Sequence, residues 1–184
     1  MRNRVIRALL AGAVAAAGAC SDAPAPTEPT AITVPVQIQS GMHAGDAHHH
    51  RTHLTGDAER PLPNDSTAQG QAIFHVNDNG TEIQFKLIVA NIENVTQAHI
   101  HCCANAEGTA GVVVWLYPSA PPAQLISGRS QGVLAEGTIT SSSLVGSLAG
   151  QPLSVLIDRI VSGLAYVNVH TLQFPPGEIR GQIR

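Results

Sequence analysis

The stretch "AYVNVHT" (residues 165–171) decides the fold class, because its apolar and polar residues alternate. Successive side chains of a β-strand point to opposite faces of its sheet. Val167 and Val169 therefore share one face, and His170 lies on the other face with Asn168. The pattern predicts a strand that buries its aliphatic side and presents polar groups, including a histidine, on the opposite side.

Short apolar runs of this kind recur between turn residues from about residue 50 onward, at a spacing typical of an all-β domain. A single segment has the helical period instead, with Pro152 at its first turn and Gly163 at its end. We therefore predict an antiparallel β-sandwich, Greek-key or immunoglobulin-like, with one short late helix. Trp115 lies in an apolar run and is expected in the core. Strands are predicted over 71–77, 81–92, 97–103, 111–117, 130–139, 165–171 and 178–183.

The N-terminus is typical of an export signal. Three arginines precede the apolar run 8–19, which is too short to span a bilayer comfortably. The small residues before Cys20 resemble a bacterial lipobox, although Ala17 stands where leucine is usual. We favour a lipoprotein in which Cys20 is lipidated and holds the chain to a membrane at the periplasm or cell surface. Ordinary cleavage, which would give a secreted protein, is the alternative.

Residues 20–49 are predicted to be a flexible, Pro- and His-rich tether between a signal peptide (1–19) and a folded domain (50–184). The stretch 43–53 holds five of the nine histidines. Such a tract either binds divalent metals or is a solvated segment. Sequence gives no geometry that decides between the two.

The charge balance argues against nucleic acid as a partner. The whole chain has a net charge of −3, and removal of residues 1–19 takes away three arginines and no acid, which leaves −6. An acidic chain without a basic stripe is a poor nucleic-acid binder. We expect no nucleic acid as a partner; the expected partners are a membrane, through the lipid anchor at Cys20, and a protein.

The segment "QAHIHCC" (97–103) carries the candidate chemistry. His99 and His101 share one strand face, and His170 lies on the polar face of its own strand. If the two strands are neighbours, three imidazoles converge, and neutral imidazole suits copper, zinc, iron and nickel. The alternative is a metal-free polar network. In either case Glu178 and Arg180 would support the histidines or pair the strands.

Cys102 and Cys103 have three interpretations. They form a vicinal disulfide, they pair with another molecule, or they act as soft ligands beside the histidines, with Cys103 on the histidine face. We favour the vicinal disulfide, because an exported chain meets an oxidising compartment.

Three blocks resemble one family. The segments 53–76, 90–101 and 166–183, above all "YVNVHTLQFPPGEIRGQI", are similar to the CHRD domain, found repeatedly in chordin and singly in bacterial secreted proteins. The resemblance covers about residues 50–184. It implies an extracytoplasmic β-sandwich and no agreed activity. Family members commonly place Gly or Ala after the His-x-His, where this chain has Cys102.

A weaker similarity concerns the site. Copper/zinc superoxide dismutases bind copper through a His-x-His and a later histidine, which here correspond to His99, His101 and His170. This chain lacks the matching zinc loop and cysteine pair. The sequence thus favours a binding or structural module, with copper as the candidate metal. The alternatives are a superoxide-dismutase-like metalloenzyme and a metal-free protein-interaction module.

Overall fold

A computed structural model describes residues 48–184. The predicted signal peptide, Cys20 and most of the predicted tether lie outside the described residues. The described part is built from seven strands and one α-helix, so the prediction of an all-β fold with a single short helix is confirmed. The strands are β1 (His49–Thr55), β2 (Gln69–Val76), β3 (Ile83–Cys102), β4 (Gly111–Tyr117), β5 (Ile126–Ile139), β6 (Ala165–Thr171) and β7 (Ile179–Gln182), and the helix is α1 (Leu153–Val161).

The strands form one antiparallel sheet that closes on itself. Neighbouring strands run in the order β2-β1-β7-β6-β3, and β2 also pairs with β3. This closure gives the domain a barrel-like core. The other edge of β3 pairs with β5 along its first half and with β4 along its second half. β3 therefore pairs with four other strands, β2, β4, β5 and β6.

β3 is one strand of 20 residues, where the sequence predicted two separate strands. Its register with β5 shifts around residues 89–95, and Asn91 and Asn94 there have positive φ values of 55° and 53°. Asparagine adopts this left-handed region more readily than most residues, so the chain bends without ending the strand. The bend lets the first half of β3 pair with β2 and the second half pair with β6.

The end of the histidine-rich tract belongs to the barrel. β1 begins at His49, and its residues alternate between buried and exposed. Thr52 and Leu54 are buried, while Arg51 and His53 are exposed. The alternation arises because successive side chains of a strand point to opposite faces of the sheet, and one face of β1 is turned to the core.

The inner faces of β3, β6 and β7 form an aliphatic core. Ile100, Val167 and Ile179 are completely buried, and full burial of such a side chain contributes about 1.5–3 kcal/mol. The helix α1 buries Leu153, Leu156 and Ile160. It is nine residues long, and no helix within residues 48–184 is both long and apolar enough to cross a membrane.

Candidate metal centre

Three histidines converge on the outer face of the β3–β6 ladder. His99 is paired in register with Asn168, and Gln97 is paired with His170, so the second half of β3 lies directly beside the polar face of β6. One ring nitrogen from each of His99, His101 and His170 lies within 4.8 Å of the other two. The structure therefore brings together the three imidazoles that the alternation placed on these strands.

All three rings are buried, although they lie on the outer face. The exposed fractions of His99, His101 and His170 are 2%, 8% and 7%. Two loops contact the cluster, residues 103–110 after β3 and residues 172–178 between β6 and β7. The alternation in the sequence predicted which face of the strands the histidines share. It did not predict that two loops would cover them. The aliphatic neighbours of the histidines along each strand point the other way, into the barrel.

Loop carbonyls fix the tautomers of two rings. His101 Nδ1 lies 2.9 Å from the carbonyl oxygen of Ala110, and His170 Nδ1 lies 2.8 Å from that of Pro175. A carbonyl oxygen only accepts, so each Nδ1 carries the hydrogen and donates. In the neutral rings Nε2 then keeps its lone pair, the arrangement found when a metal-ligating histidine is held through its other nitrogen.

His99 completes the group. Its Nδ1 lies 3.3 Å from His170 Nε2. Two nitrogens held about 2.05 Å from one tetrahedral ion are about 3.3 Å apart, so the spacing fits a shared ion. It also fits a metal-free hydrogen bond from His99 Nδ1–H to His170. The Nε2 atoms of His99 and His101 are buried with no hydrogen-bond partner among the described residues.

The environment keeps these rings neutral. Burial, together with the neighbouring rings of His170 and His101, lowers the pKa of His99 to about 3. Burial also lowers the pKa of His101 and of His170, although their bonds to loop carbonyls oppose the shift. Neutral imidazole is the form that binds metal, so the trio is in its ligand state at neutral pH.

Two aromatic side chains hold the rings in place. Tyr166 stacks on His101, with ring centroids 4.8 Å apart and planes 5° from parallel. Trp115 meets His99 edge-on at 4.3 Å. The expectation that Trp115 lies in the core was wrong, because this residue is only half-buried and points to the outer face with His99.

A buried carboxyl group, that of Glu59, lies near Arg180 and Asn168. Glu59 is 4% exposed, and burial raises its pKa to about 7, while Arg180 and a hydrogen bond from Asn168 oppose the rise. Asn168 also opposes the fall in the pKa of His101. A Cβ on Gly177 would lie 2.5 Å from Glu59 Oε1, so only glycine allows this approach. Sequence reasoning missed Glu59, because it lies outside every strand and has no alternation partner.

Glu178 and Arg180 support the loops instead of contacting the trio. Glu178 accepts hydrogen bonds of 2.6 Å from Ser66 Oγ and Thr171 Oγ1. Arg180 Nη2 donates to the carbonyl oxygens of Asn105 and Gly108, and its guanidinium lies 3.6 Å from the Tyr166 ring centroid. Arg180 therefore stacks on Tyr166, which stacks on His101, and its charge also lowers the pKa of His101.

The structure joins Cys102 and Cys103 in a vicinal disulfide across a cis peptide bond. Neither sulfur is then a free thiolate, and the group able to hold a metal in the described chain consists of the three histidines without Cys103.

Comparison with curated proteins and with solved structures finds no match. The model of one domain family, CHRD, matches residues 50–183, which includes every strand from β2 to β7 and all three histidines. The chain therefore belongs to the CHRD domain family.

Proposed function

We propose that this chain is an extracytoplasmic, membrane-anchored CHRD-domain module that binds a transition metal, copper, through His99, His101 and His170. The observation that carries the proposal is the convergence of three ring nitrogens within 4.8 Å. Two of these rings donate their other nitrogen to loop carbonyls, so their lone pairs already point away from those carbonyls.

The donor set favours copper. Three neutral imidazoles suit copper, zinc and nickel, whereas calcium and magnesium prefer oxygen ligands. Copper(II) has the highest affinity for nitrogen sites among the divalent first-row metals. Three protein ligands leave at least one coordination position for water or a small molecule.

The membrane anchor rests on sequence, since residues 1–47 lie outside the description. Cys20 follows a small-residue run and precedes a Pro-rich tether. Palmitate labelling of the full chain in a bacterial host tests it. We expect label on the wild type and none on Cys20→Ser. An unlabelled, freely secreted wild type would reject the anchor.

Metal analysis of the domain, made without a His-tag, tests the site. We expect one tightly bound copper in the wild type and in a His49→Gln/His75→Gln control, which keeps the trio. His170→Ala removes one of three ligands, and it should weaken copper binding more than about 100-fold, beyond the loss caused by removing a supporting partner. Equal copper retention by His170→Ala would reject the three-histidine site.

Activity assays on the copper-loaded domain also distinguish a metalloenzyme from a protein that only binds copper. Superoxide dismutation that is lost in His170→Ala would make the protein a metalloenzyme. Bound copper without turnover would assign binding or storage. A wild type that binds no copper, zinc or nickel would reject the proposal in favour of a metal-free polar network in an interaction module.

A further inference from the structure

A second concave region lies beside the metal centre, over the outer faces of β1 and β7. It is a cavity of about 640 Å³. Its walls include the segment that carries Arg60 and the loop residue Ala106. We call it the arginine pocket, because four guanidinium groups line it together with His53 and Gln71, namely Arg51, Arg60, Arg180 and Arg184.

This concentration of positive charge is unusual for an acidic chain. The chain has ten Lys and Arg residues against thirteen Asp and Glu residues, yet four arginines meet here. Two carboxyl groups face them. Glu107 pairs with Arg60 at 3.3 Å but is 77% exposed, and such a pair contributes little. Glu59 is buried next to Arg180 and Arg60. Even with both carboxylates ionised, the guanidinium groups are in excess.

Two of the arginines oppose each other directly. Arg51 N–H donates to the carbonyl oxygen of Arg184 at 2.8 Å, and Arg184 N–H donates to that of Arg51 at 3.0 Å. Side chains at such a pair lie on the same face, and like charges there are destabilising. Neither guanidinium has an ion-pair partner within residues 48–184. An anion between them would remove the repulsion.

The other two arginines are held in place. Arg60 Nη1 donates to the carbonyl oxygens of Asp57 and Glu59. Arg180 is 2% exposed, donates to Gly108 and stacks on Tyr166. Groups fixed before binding lose little conformational entropy when a ligand arrives. The pocket therefore combines two fixed guanidinium groups with two solvent-exposed ones.

We propose that the arginine pocket binds a phosphate group, carried by a small phosphomonoester or by a phospholipid headgroup. Guanidinium matches phosphate oxygens in a bidentate manner, and the cavity has room for more than the phosphate alone. The pocket and the three histidines share no residue, and Arg180 is joined to His101 through the ring of Tyr166.

Calorimetry with inorganic phosphate and pyrophosphate tests the pocket. The protein is the full chain with Cys20→Ser, so that no acyl group contributes. We expect binding that weakens as sodium chloride is raised. Arg51→Gln/Arg184→Gln should weaken it about 100-fold, or tenfold for each lost charged contact. The control Arg129→Gln/Arg159→Gln removes the same charge elsewhere and should change the affinity less than about threefold.

Vesicles separate the two sources of phosphate. Cosedimentation with phosphatidylglycerol vesicles that is lost in Arg51→Gln/Arg184→Gln, but not in the control, would assign a lipid headgroup. Binding of pyrophosphate without vesicle binding would assign a soluble phosphomonoester. Absence of binding to phosphate, pyrophosphate and vesicles, or equal loss in both double variants, would overturn the proposal. Unchanged melting temperatures would show that the variants are folded.

Discussion

The described chain carries two groups of histidines that differ in their surroundings. His49 and His75 are paired across β1 and β2, with ring centroids 4.5 Å apart on the outer face. His99, His101 and His170 also lie on the outer face, but two loops cover them. Both groups use the same strand geometry. The loops hold the rings of His101 and His170 and bury the trio. His49, from the dense histidine tract, instead forms a more exposed pair with His75 of β2.

The largest effect on the free energy of unfolding is expected at Ile100, a core residue of β3 between two of the covered histidines. Ile100 lies between His99 and His101 along β3 and points into the core with no exposed surface. Ile100→Ala should lower the free energy of unfolding by about 2–5 kcal/mol, because it leaves a cavity. Ile73, near His75 on β2, is 39% exposed, and Ile73→Ala should cost less than about 1 kcal/mol. Urea denaturation measures both, and equal losses would contradict the assigned faces.

Acid should destabilise the metal-free protein through the covered group. The folded-state pKa of His99, about 3, lies below the ordinary histidine value of 6.5, so the unfolded chain binds a proton first as pH falls. This contribution to stability is complete above pH 6.5 and is lost towards pH 3. The titration of His99 alone should lower the free energy of unfolding by about 2 kcal/mol as the pH falls from 6.5 to 5.

Glu59 acts in the opposite direction, because its pKa is raised to about 7 in the fold. The ionised carboxylate of Glu59 destabilises the fold at high pH, and this destabilisation disappears as the pH falls from 7 to 4.5. Comparison with His99→Gln isolates the histidine. Urea denaturation in the presence of a chelator should show a shallower loss with acid in His99→Gln, and the wild-type loss in His49→Gln. An identical slope in His99→Gln and wild type would refute the neutral buried ring.

A smaller effect is expected at the contact between Tyr166 and Ala110 of the 103–110 loop. The Tyr166 hydroxyl accepts from the Ala110 N–H at 3.1 Å and donates to the Ala110 carbonyl at 3.3 Å. Tyr166→Phe keeps the stacking on His101 but removes these bonds. The free energy of unfolding should fall by about 1 kcal/mol, and copper affinity should fall about tenfold. Thermal unfolding and chelator competition measure these changes, and unchanged affinity would show that the loop does not position His101.

The open pair should matter least. His49→Gln/His75→Gln alters exposed or half-buried rings on the surface, and such substitutions usually change the free energy of unfolding by less than about 0.5 kcal/mol. The same denaturation assay checks this. A loss above about 1.5 kcal/mol would mean that the pair is structural, and the contrast with the covered group would disappear.

Local periodicity was enough to predict much of the architecture. Alternation along residues 165–171 placed His170 on the polar face, and the i, i+2 spacing did the same for His99 and His101. The helix followed from its apolar stripe between Pro152 and Gly163. These features depend on neighbours in sequence, so the sequence carries them directly.

Features that depend on long-range contacts were not predictable in this way. The continuity of β3 requires Asn91 and Asn94 to turn the chain without ending the strand. The burial of the trio requires the 103–110 and 172–178 loops to fold over it. Trp115 reaches His99 from β4, and Glu59 reaches Arg180 and Asn168 from outside every strand. No local pattern shows where such side chains meet.

The position of copper in the metal-loaded protein is the most direct test. Crystals of the domain loaded with one equivalent of copper, measured at the copper absorption edge, give an anomalous peak at the ion. The account predicts one strong peak about 2.0–2.1 Å from ring nitrogens of His99, His101 and His170. A peak at His49 and His75 with none at the trio, or an unoccupied trio spanned by the His99–His170 hydrogen bond, would contradict it.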